Sequence, residues 1–369
     1  MRRMLVICPY PQGVAGGQRL KYEQYFDDWR SLGWEIEISN YMDHAMWDVI
    51  WENGHVLAKV RGVLRGTARR IRDLLRIRRY DLVYATMWVT PFGTTVFERL
   101  VRMLAKRMVF DIEDNVLSQQ PGGTADHIGP LIRRLKNPGK ARFLITNADH
   151  VITTTDHFNR ICLDLNKNRA CSVIPSSVDT DRFQPATPYS NDKPVVIGWT
   201  GTFSSRVYLD LLRGVFQRLA QRVPFKLRVI GNFDYELPGV DLEVIRWNAV
   251  DEVSQLQALD IGVYPLPIDD WVLGKAGLKA IQYMAFALPC VATDVGNTPL
   301  IIRDGETGLL VRTDAEWEAA LARLIAEPEL RRRIGQAARE DIVAKYSTKA
   351  VASLYRSVLE KVMTGQKPA

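Results

Sequence analysis

The stretch Asp260–Val311 constrains the fold of this 369-residue chain more than any other. Ile261 to Leu266 is a short apolar run interrupted and closed by Pro265 and Pro267, which predicts a buried strand. A loop follows, carrying Asp269, Asp270, Gly274, Lys275 and Gly277. From Leu278 the apolar residues recur at steps of three and four through Ile281 and Met284 or Ala285, which predicts a helix that Pro289 ends. Cys290 to Thr293 is the next strand. Strand, glycine-bearing loop, helix and strand form a βαβ unit, and such units build doubly wound parallel sheets that bind ligands at the carboxyl ends of their strands. The helix start beside Gly277 offers unpaired N–H groups and partial positive charge to a phosphate.

The same organisation recurs along the chain. Met4 to Cys8 predicts a first strand; although Arg2 and Arg3 precede it, the apolar run is too short for a signal peptide. A Pro/Gly loop to Gly17 follows. Tyr22 to Leu32 reads as a helix with Tyr22, Tyr25, Phe26 and Trp29 on one face, and Glu35 to Ile38 as a second strand. Leu82–Thr86, Met108 onward and Ala148–Thr155 predict further strands, with a helix from Gly93 to Leu104. Met108 onward runs into Asp111, Glu113 and Asp114, three acids in four residues at a strand's carboxyl end. The spacing of Asp111 and Glu113 is also that of the metal-binding D-x-D of GT-A transferases. The basic loop from Gly122 to Lys140, with Arg133, Arg134 and Lys136, would border an acceptor.

After a polar linker from Pro185 to Pro194, Val195–Thr202 predicts a strand with a glycine turn at Gly201. Thr202, Ser205 and Arg206 then stand before a predicted helix from Tyr208 to Arg222, a composition suited to cradling a diphosphate. Leu242–Trp247 predicts a strand whose end, Trp247 and Asn248, is either a nucleotide-base platform or a packed tryptophan. Helices are predicted over 316–325, 329–345 and 347–363.

Charge is uneven. Residues 1–185 hold 27 Lys and Arg against 20 Asp and Glu, whereas residues 186–369 hold 22 of each, so the net charge of +7 lies in the first half. Lys59 to Arg79 alone has nine basic residues and one acid, Asp73, interleaved at helical spacing with Val60, Leu64, Ile71 and Leu75. Such a basic amphipathic helix suits an anionic membrane surface, with Arg65, Arg69, Arg72 and Arg76 as its contacts, or an acidic partner; alternatively its stripe packs on its own domain. No nucleic-acid-binding pattern is present. No run of 18 apolar residues would span a bilayer. Cys8, Cys162, Cys171 and Cys290 lack metal or redox spacing and suggest buried thiols in a reducing compartment.

Five motifs in order carry a family resemblance. Gln282-Tyr283-Met284-Ala285-Phe286-Ala287-Leu288-Pro289-Cys290-Val291-Ala292-Thr293 resembles the A-M-A-x-G-x-P-V-V-A-T run of GT-B glycosyltransferases, in particular retaining family 4. Gly305-Glu306-Thr307-Gly308-Leu309-Leu310-Val311 fits its close, and Val173 to Pro185 resembles V-I-P-N-G-V-D-x-x-x-F-x-P. Gly16 and Gly17 match the glycine pair of the first loop. Asp111-Ile112-Glu113-Asp114 resembles a D-I-D-D found where other members have a catalytic histidine; with GT-B motifs downstream, the GT-A reading gives way. The departure lies in the paired glutamates: the second falls on Gln282 and the first on Gly274, giving K-x-G-L-K-x-x-Q-Y-M.

The resemblance implies an α/β GT-B chain of two Rossmann-like doubly wound parallel-sheet domains facing a central cleft. Residues 1–185 would bind acceptor, 186–345 the nucleotide sugar, and 346–369 would return as a helix to the first domain. It implies a retaining, metal-independent glycosyltransferase without cofactor, taking a UDP- or GDP-linked sugar to a glycan or polyprenyl-diphosphate-linked acceptor in surface polysaccharide assembly, such as lipopolysaccharide. That role places it in the cytoplasm, peripheral at the inner face of the plasma membrane. Glu113, Asp114 and Lys275 are the candidate catalytic residues. Gly201, Thr202, Ser205, Arg206, Trp247, Asn248, Lys275, Ala276, Gly277, Leu278, Lys279 and Gln282 would hold the donor, and Gly16, Gly17 and Arg19 the diphosphate or acceptor. Loss of the glutamates keeps a second reading open, a non-catalytic protein of this shape that binds a nucleotide sugar or an assembly partner; a sugar-nucleotide epimerase of GT-B shape is a third.

Overall fold

The computed structural model describes residues 1–50, 52, 54–117, 139–186 and 194–365. Arg133, Arg134 and Lys136 lie outside the described residues. Two compact units emerge: residues 1–117, 139–175 and 351–365 form one, residues 176–186 and 194–350 the other.

The first unit is built on a six-stranded parallel sheet of order β2-β1-β3-β4-β5-β6. Its strands are β1 (Arg2–Cys8), β2 (Trp34–Asn40), β3 (Leu82–Thr86), β4 (Met108–Asp111), β5 (His150–Thr153) and β6 (Cys171–Val173). Between them run α1 (Gly16–Arg19), α2 (Phe26–Ser31), α3 (His44–Ile50), α4 (Val56–Arg76), α5 (Val96–Leu104), α6 (Gly139–Asn147) and α7 (Asp156–Leu165). Leu5 and Ile7 face one apolar layer while Met4, Val6 and Cys8 face the other, the alternation a sheet covered on both faces requires. The predicted helix Tyr22–Leu32 is shorter than expected: Glu23–Tyr25 is a 3₁₀ turn leading into α2, but its aromatic face is buried as the spacing predicts.

The second unit repeats the plan with order β12-β11-β10-β7-β8-β9, again all parallel. Its strands are β7 (Val196–Thr200), β8 (Lys226–Ile230), β9 (Leu242–Ile245), β10 (Ile261–Tyr264), β11 (Cys290–Thr293) and β12 (Gly308–Val311). Its helices are α8 (Arg206–Asp210), α9 (Arg213–Ala220), α10 (Glu252–Gln257), α11 (Leu278–Ala285), α12 (Thr298–Ile301), α13 (Asp314–Ala326) and α14 (Pro328–Lys345). The single helix expected over Tyr208–Arg222 is instead α8 and α9, separated where Leu211 and Leu212 make tight turn bonds to Tyr208 and Leu209.

The division falls between Pro175 and Ser176, earlier than the polar linker at 186, for a packing reason. Arg339 on α14 donates to the carbonyls of Phe183, Thr180 and Ala285, and the Phe183 ring lies 5.2 Å from that of Phe286, so residues 176–186 belong with the second unit. A final helix, α15 (Thr348–Thr364), joins the first unit from Val351 onward. Its Val351, Tyr355, Val358 and Leu359 are buried in the same cluster as Met4, Val6, Trp29 and Tyr84, and Arg356 pairs with Asp28.

Helix α4 docks by an unusual face. Gly62, Gly66, Arg70 and Asp73 are its buried positions. A Cβ at Gly62 would lie 2.6 Å from Met46 Sδ, and one at Gly66 2.7 Å from the Tyr41 carbonyl, so the missing side chains let α4 lie against α3 and the end of β2. Arg70, fully buried, donates to the carbonyls of Cys8, Ser39 and Val89 and pairs with Asp73 at 3.1 Å, which satisfies the charge that burial would otherwise make costly. The stripe of Val60, Leu64, Ile71 and Leu75 therefore does not pack on its own domain; all four are exposed.

Candidate functional site

In the second unit, two loops meet at the carboxyl ends of β7 and β10, neighbours in the sheet and the point from which the strand order runs outward both ways. This is where open α/β sheets leave a crevice for ligand. The first loop turns at Gly201, where a Cβ would collide with the Trp199 ring at 2.3 Å and Ser205 Oγ at 2.6 Å. Thr202 and Ser205 close it as a capping box, Ser205 Oγ accepting from Thr202 N at 3.0 Å. The second loop enters α11 through Gly277, whose φ of 81° is one a side chain would strain.

Lys279, in the first turn of α11, joins the two loops: its Nζ donates to Ser205 Oγ at 3.3 Å and sits 4.5 Å from the centre of the Trp199 ring. Burial, with the Lys275 charge adding to it, pushes the Lys279 amine down to about 7. Tyr283 makes the other bridge, its phenol accepting from Thr200 N at 2.8 Å. Gly262 leaves room for that ring, since a Cβ there would lie 2.3 Å from it. Gln282 is 6% exposed, and among the described residues its amide has no hydrogen-bond partner. Lys275 lies 5.3 Å from the Trp271 ring centre, and Arg206 lies over Phe203 and 3.9 Å from Asp210. Cations, α11 amides and hydroxyls thus converge here, the set an anionic diphosphate needs.

The structure groups Gly201, Thr202, Ser205, Arg206, Lys275, Ala276, Gly277, Leu278, Lys279 and Gln282 on these two loops and α11. Trp247 and Asn248 stand apart, after the edge strand β9. The Asn248 side chain is committed to its own turn, accepting from Val250 N and Asp251 N and donating to Asp251 Oδ2. Trp199 and Tyr283 were not singled out from the sequence. The signal available for Trp199 was its position two residues before Gly201, where only a glycine could lie under its ring.

In the first unit, the glycine loop and the acidic run meet. A Cβ on Gly17 would lie 2.6 Å from Glu113 Oε2, so the carboxylate rests on the bare backbone of α1. Gln18 pins the loop by bonds to both backbone groups of Tyr10, and Glu23 accepts from Gly13 N at 2.9 Å. Arg19 is half-buried beside them. Thr154 Oγ1 donates to the Glu113 carbonyl at 2.8 Å, fixing the start of the acidic loop. Asp111 is not part of an open site: it is buried, ion-paired with buried Lys21 and accepts from Tyr84 Oη. Glu113 and Asp114 are half-buried. Among the described residues, no three His, Cys, Asp or Glu side chains converge as metal ligands.

On the basic helix, Arg65 makes a two-pronged pair with Asp43, Arg69 reaches the carbonyls of Asn40 and Tyr41, and Arg76 pairs with Asp73 and Glu37. Arg72 alone of those four has no partner among the described residues.

Comparison with known proteins agrees with this architecture. Over 252 residues the chain is 26% identical to D-inositol 3-phosphate glycosyltransferase of Corynebacterium jeikeium, covering 59% of each chain. It is 44% identical over 223 residues to the enzyme of that name from Nocardia farcinica, covering 52% of this chain and 48% of the relative. The matches thus span about half to three fifths of these relatives' length. Among solved structures, sucrose-phosphate synthase from Thermosynechococcus elongatus superposes with a TM-score of 0.70 at 17% identity over 99% of this chain and 100% of that one. HepE of Anabaena in complex with UDP-glucose superposes with a TM-score of 0.66 at 14% identity over 98% and 100%. Residues 194–327, within the second unit, match the family described as Glycosyl transferases group 1, and the chain as a whole has the GT-B fold of these solved structures.

Proposed function

We propose that the chain is a retaining glycosyltransferase of family 4 type, moving a sugar from a nucleoside-diphosphate donor to a hydroxyl of a glycan or polyprenyl-diphosphate-linked acceptor in surface polysaccharide assembly. The observation that carries this reading is the Lys279 bridge between the Ser205 loop and the start of α11. An amine held near neutrality against an indole, with no carboxylate on it among the described residues, is a poor structural device and a good receptor for diphosphate. HepE of Anabaena has been solved with UDP and with UDP-glucose, which favours UDP as the carrier.

In this reading Lys279, Lys275, Arg206 and the first amides of α11 stabilise charge on the leaving diphosphate, doing without a metal. Gln282 hydrogen-bonds the ribose hydroxyls, a role an amide fills as well as a carboxylate. Glu113 and Asp114 orient the acceptor hydroxyl. The departing phosphate oxygen takes the acceptor proton on the same face, a route that needs no carboxylate nucleophile and so tolerates glycine at 274. Calorimetry with UDP and GDP, followed by release of UDP from UDP-sugars in the presence of a lipid-linked oligosaccharide, tests it. Tight UDP binding with acceptor-dependent release is expected. Binding without release under any acceptor would favour the non-catalytic reading, and no nucleotide binding would end both.

A further inference from the structure

Helix α4 is amphipathic in the wrong sense for a domain surface. Inward it presents Gly62, Gly66, Arg70 and Asp73; outward it presents Leu57, Val60, Leu64, Ile71 and Leu75. Leu57, Leu64 and Leu75 are 75%, 63% and 84% exposed, far more than a packing role would leave them. From Leu57 to Leu75 the stripe runs five turns, about 27 Å at the rise of an α-helix. An apolar strip of that size on a surface marks a contact.

The charges beside it divide in two. Arg65, Arg69 and Arg76 are tied to Asp43, Asp73, Glu37 and backbone carbonyls, and so clamp α4 to its own unit. Arg61, Arg72, Arg78 and Arg79 are exposed and have no acidic partner among the described residues.

We infer that α4 is a docking surface for an anionic lipid bilayer, lying in the plane of the interface with its leucine stripe inserted and Arg61, Arg72, Arg78 and Arg79 on the headgroups. The charge favours lipid over a second copy of the chain. In a pair of copies the arginines flanking one stripe would face those flanking the other, whereas anionic headgroups neutralise them. Because the clamp lies on the opposite face, insertion leaves the fold of the unit intact. The inference is independent of the sugar-transfer reading, since neither nucleotide nor acceptor enters it.

The test is sedimentation of the full chain, without nucleotide, with vesicles of phosphatidylcholine containing one third phosphatidylglycerol, and with phosphatidylcholine alone. Binding to the anionic vesicles at low salt, lost in phosphatidylcholine and weakened by salt, is expected. Leu57→Gln, Leu64→Gln and Leu75→Gln together should reduce it about tenfold or more, as should Arg61→Gln, Arg72→Gln and Arg79→Gln together. All six positions are exposed, and unchanged melting temperatures confirm that the variants are folded. A wild type left in the supernatant overturns the inference, as does a leucine variant that binds like wild type. A concentration-dependent dimer that the leucine variant dissolves, with no vesicle binding, overturns it in favour of a second copy.

Discussion

The two units turn the same corner with opposite charge. In each, a central strand ends in a glycine loop that opens a helix. In the first unit, Glu113 lies on Gly17 and Glu23 holds the loop from within. In the second, Lys279 leans on Ser205 and Trp199 with Lys275 nearby, and the buried side chain at the expected carboxylate position is Gln282. One topology therefore carries two different side-chain sets. The cationic corner has the charge that the proposed diphosphate needs, and carboxylates line the corner proposed for the acceptor hydroxyl. Fold alone would not distinguish them; the residues on the loops do.

If that division is right, the largest effect should come from the acidic corner. Glu113→Gln should lower turnover by about a hundredfold or more, the range for a lost acid–base or positioning carboxylate, and leave UDP affinity unchanged. A parallel loss of UDP binding would break the comparison. Next, Lys279→Ala should weaken UDP binding by about 1.5–3 kcal/mol, the worth of a charge-assisted bond, in a calorimetric titration.

The pH dependence follows in size. In the free protein the Lys279 amine loses its proton near 7, while the unfolded chain keeps it to the ordinary lysine range. The unfolded state thus holds more protons from about pH 7 upward, so this group makes the free protein more stable as pH rises through that window and less stable below it. A bound diphosphate favours the charged amine, so binding takes up a proton. UDP affinity should fall about fivefold from pH 7 to pH 8, and heats of binding should depend on the buffer's own ionisation enthalpy. Both effects should vanish in Lys279→Met.

The smallest expected effect is Ala287→Gly. Ala287 has a φ of 56° at the end of α11, where the run it resembles has glycine. Relieving that left-handed strain, less the entropy glycine gains in the unfolded chain, should raise stability by about 0.5–1 kcal/mol, read as a higher melting temperature.

Much of the second corner was legible because its signals are local. Leu278, Ile281 and Met284 set the period of α11, Pro289 its end, and Cys290–Thr293 is a strand as read. What stayed hidden depends on partners far away in the chain. Lys21 and Asp111 pair across 90 positions, which removes Asp111 from the acidic run that spacing had grouped with Glu113. Asp43 and Glu37 neutralise arginines that composition counts as free. Periodicity found both faces of α4 but could not say which one turns inward. That was decided by the close approach of Met46 and Tyr41 to two glycines, a steric fact with no hydropathy signal. Asn248 shows the opposite case: its side-chain bonds all lie within its own turn, a local arrangement that composition does not signal.

The place of α15 bears on how the molecule comes off the ribosome. The first unit's sheet emerges early, but Val351, Tyr355, Val358 and Leu359, which cover Trp29 and Tyr84, are synthesised after the whole of the second unit. During translation the amino-terminal half therefore waits with an uncovered aromatic face, exposed to chaperones and to aggregation, while the later half can complete its core first. Folding order should run against synthesis order, and a chain released at Ala350 should leave the second unit native and the first one open.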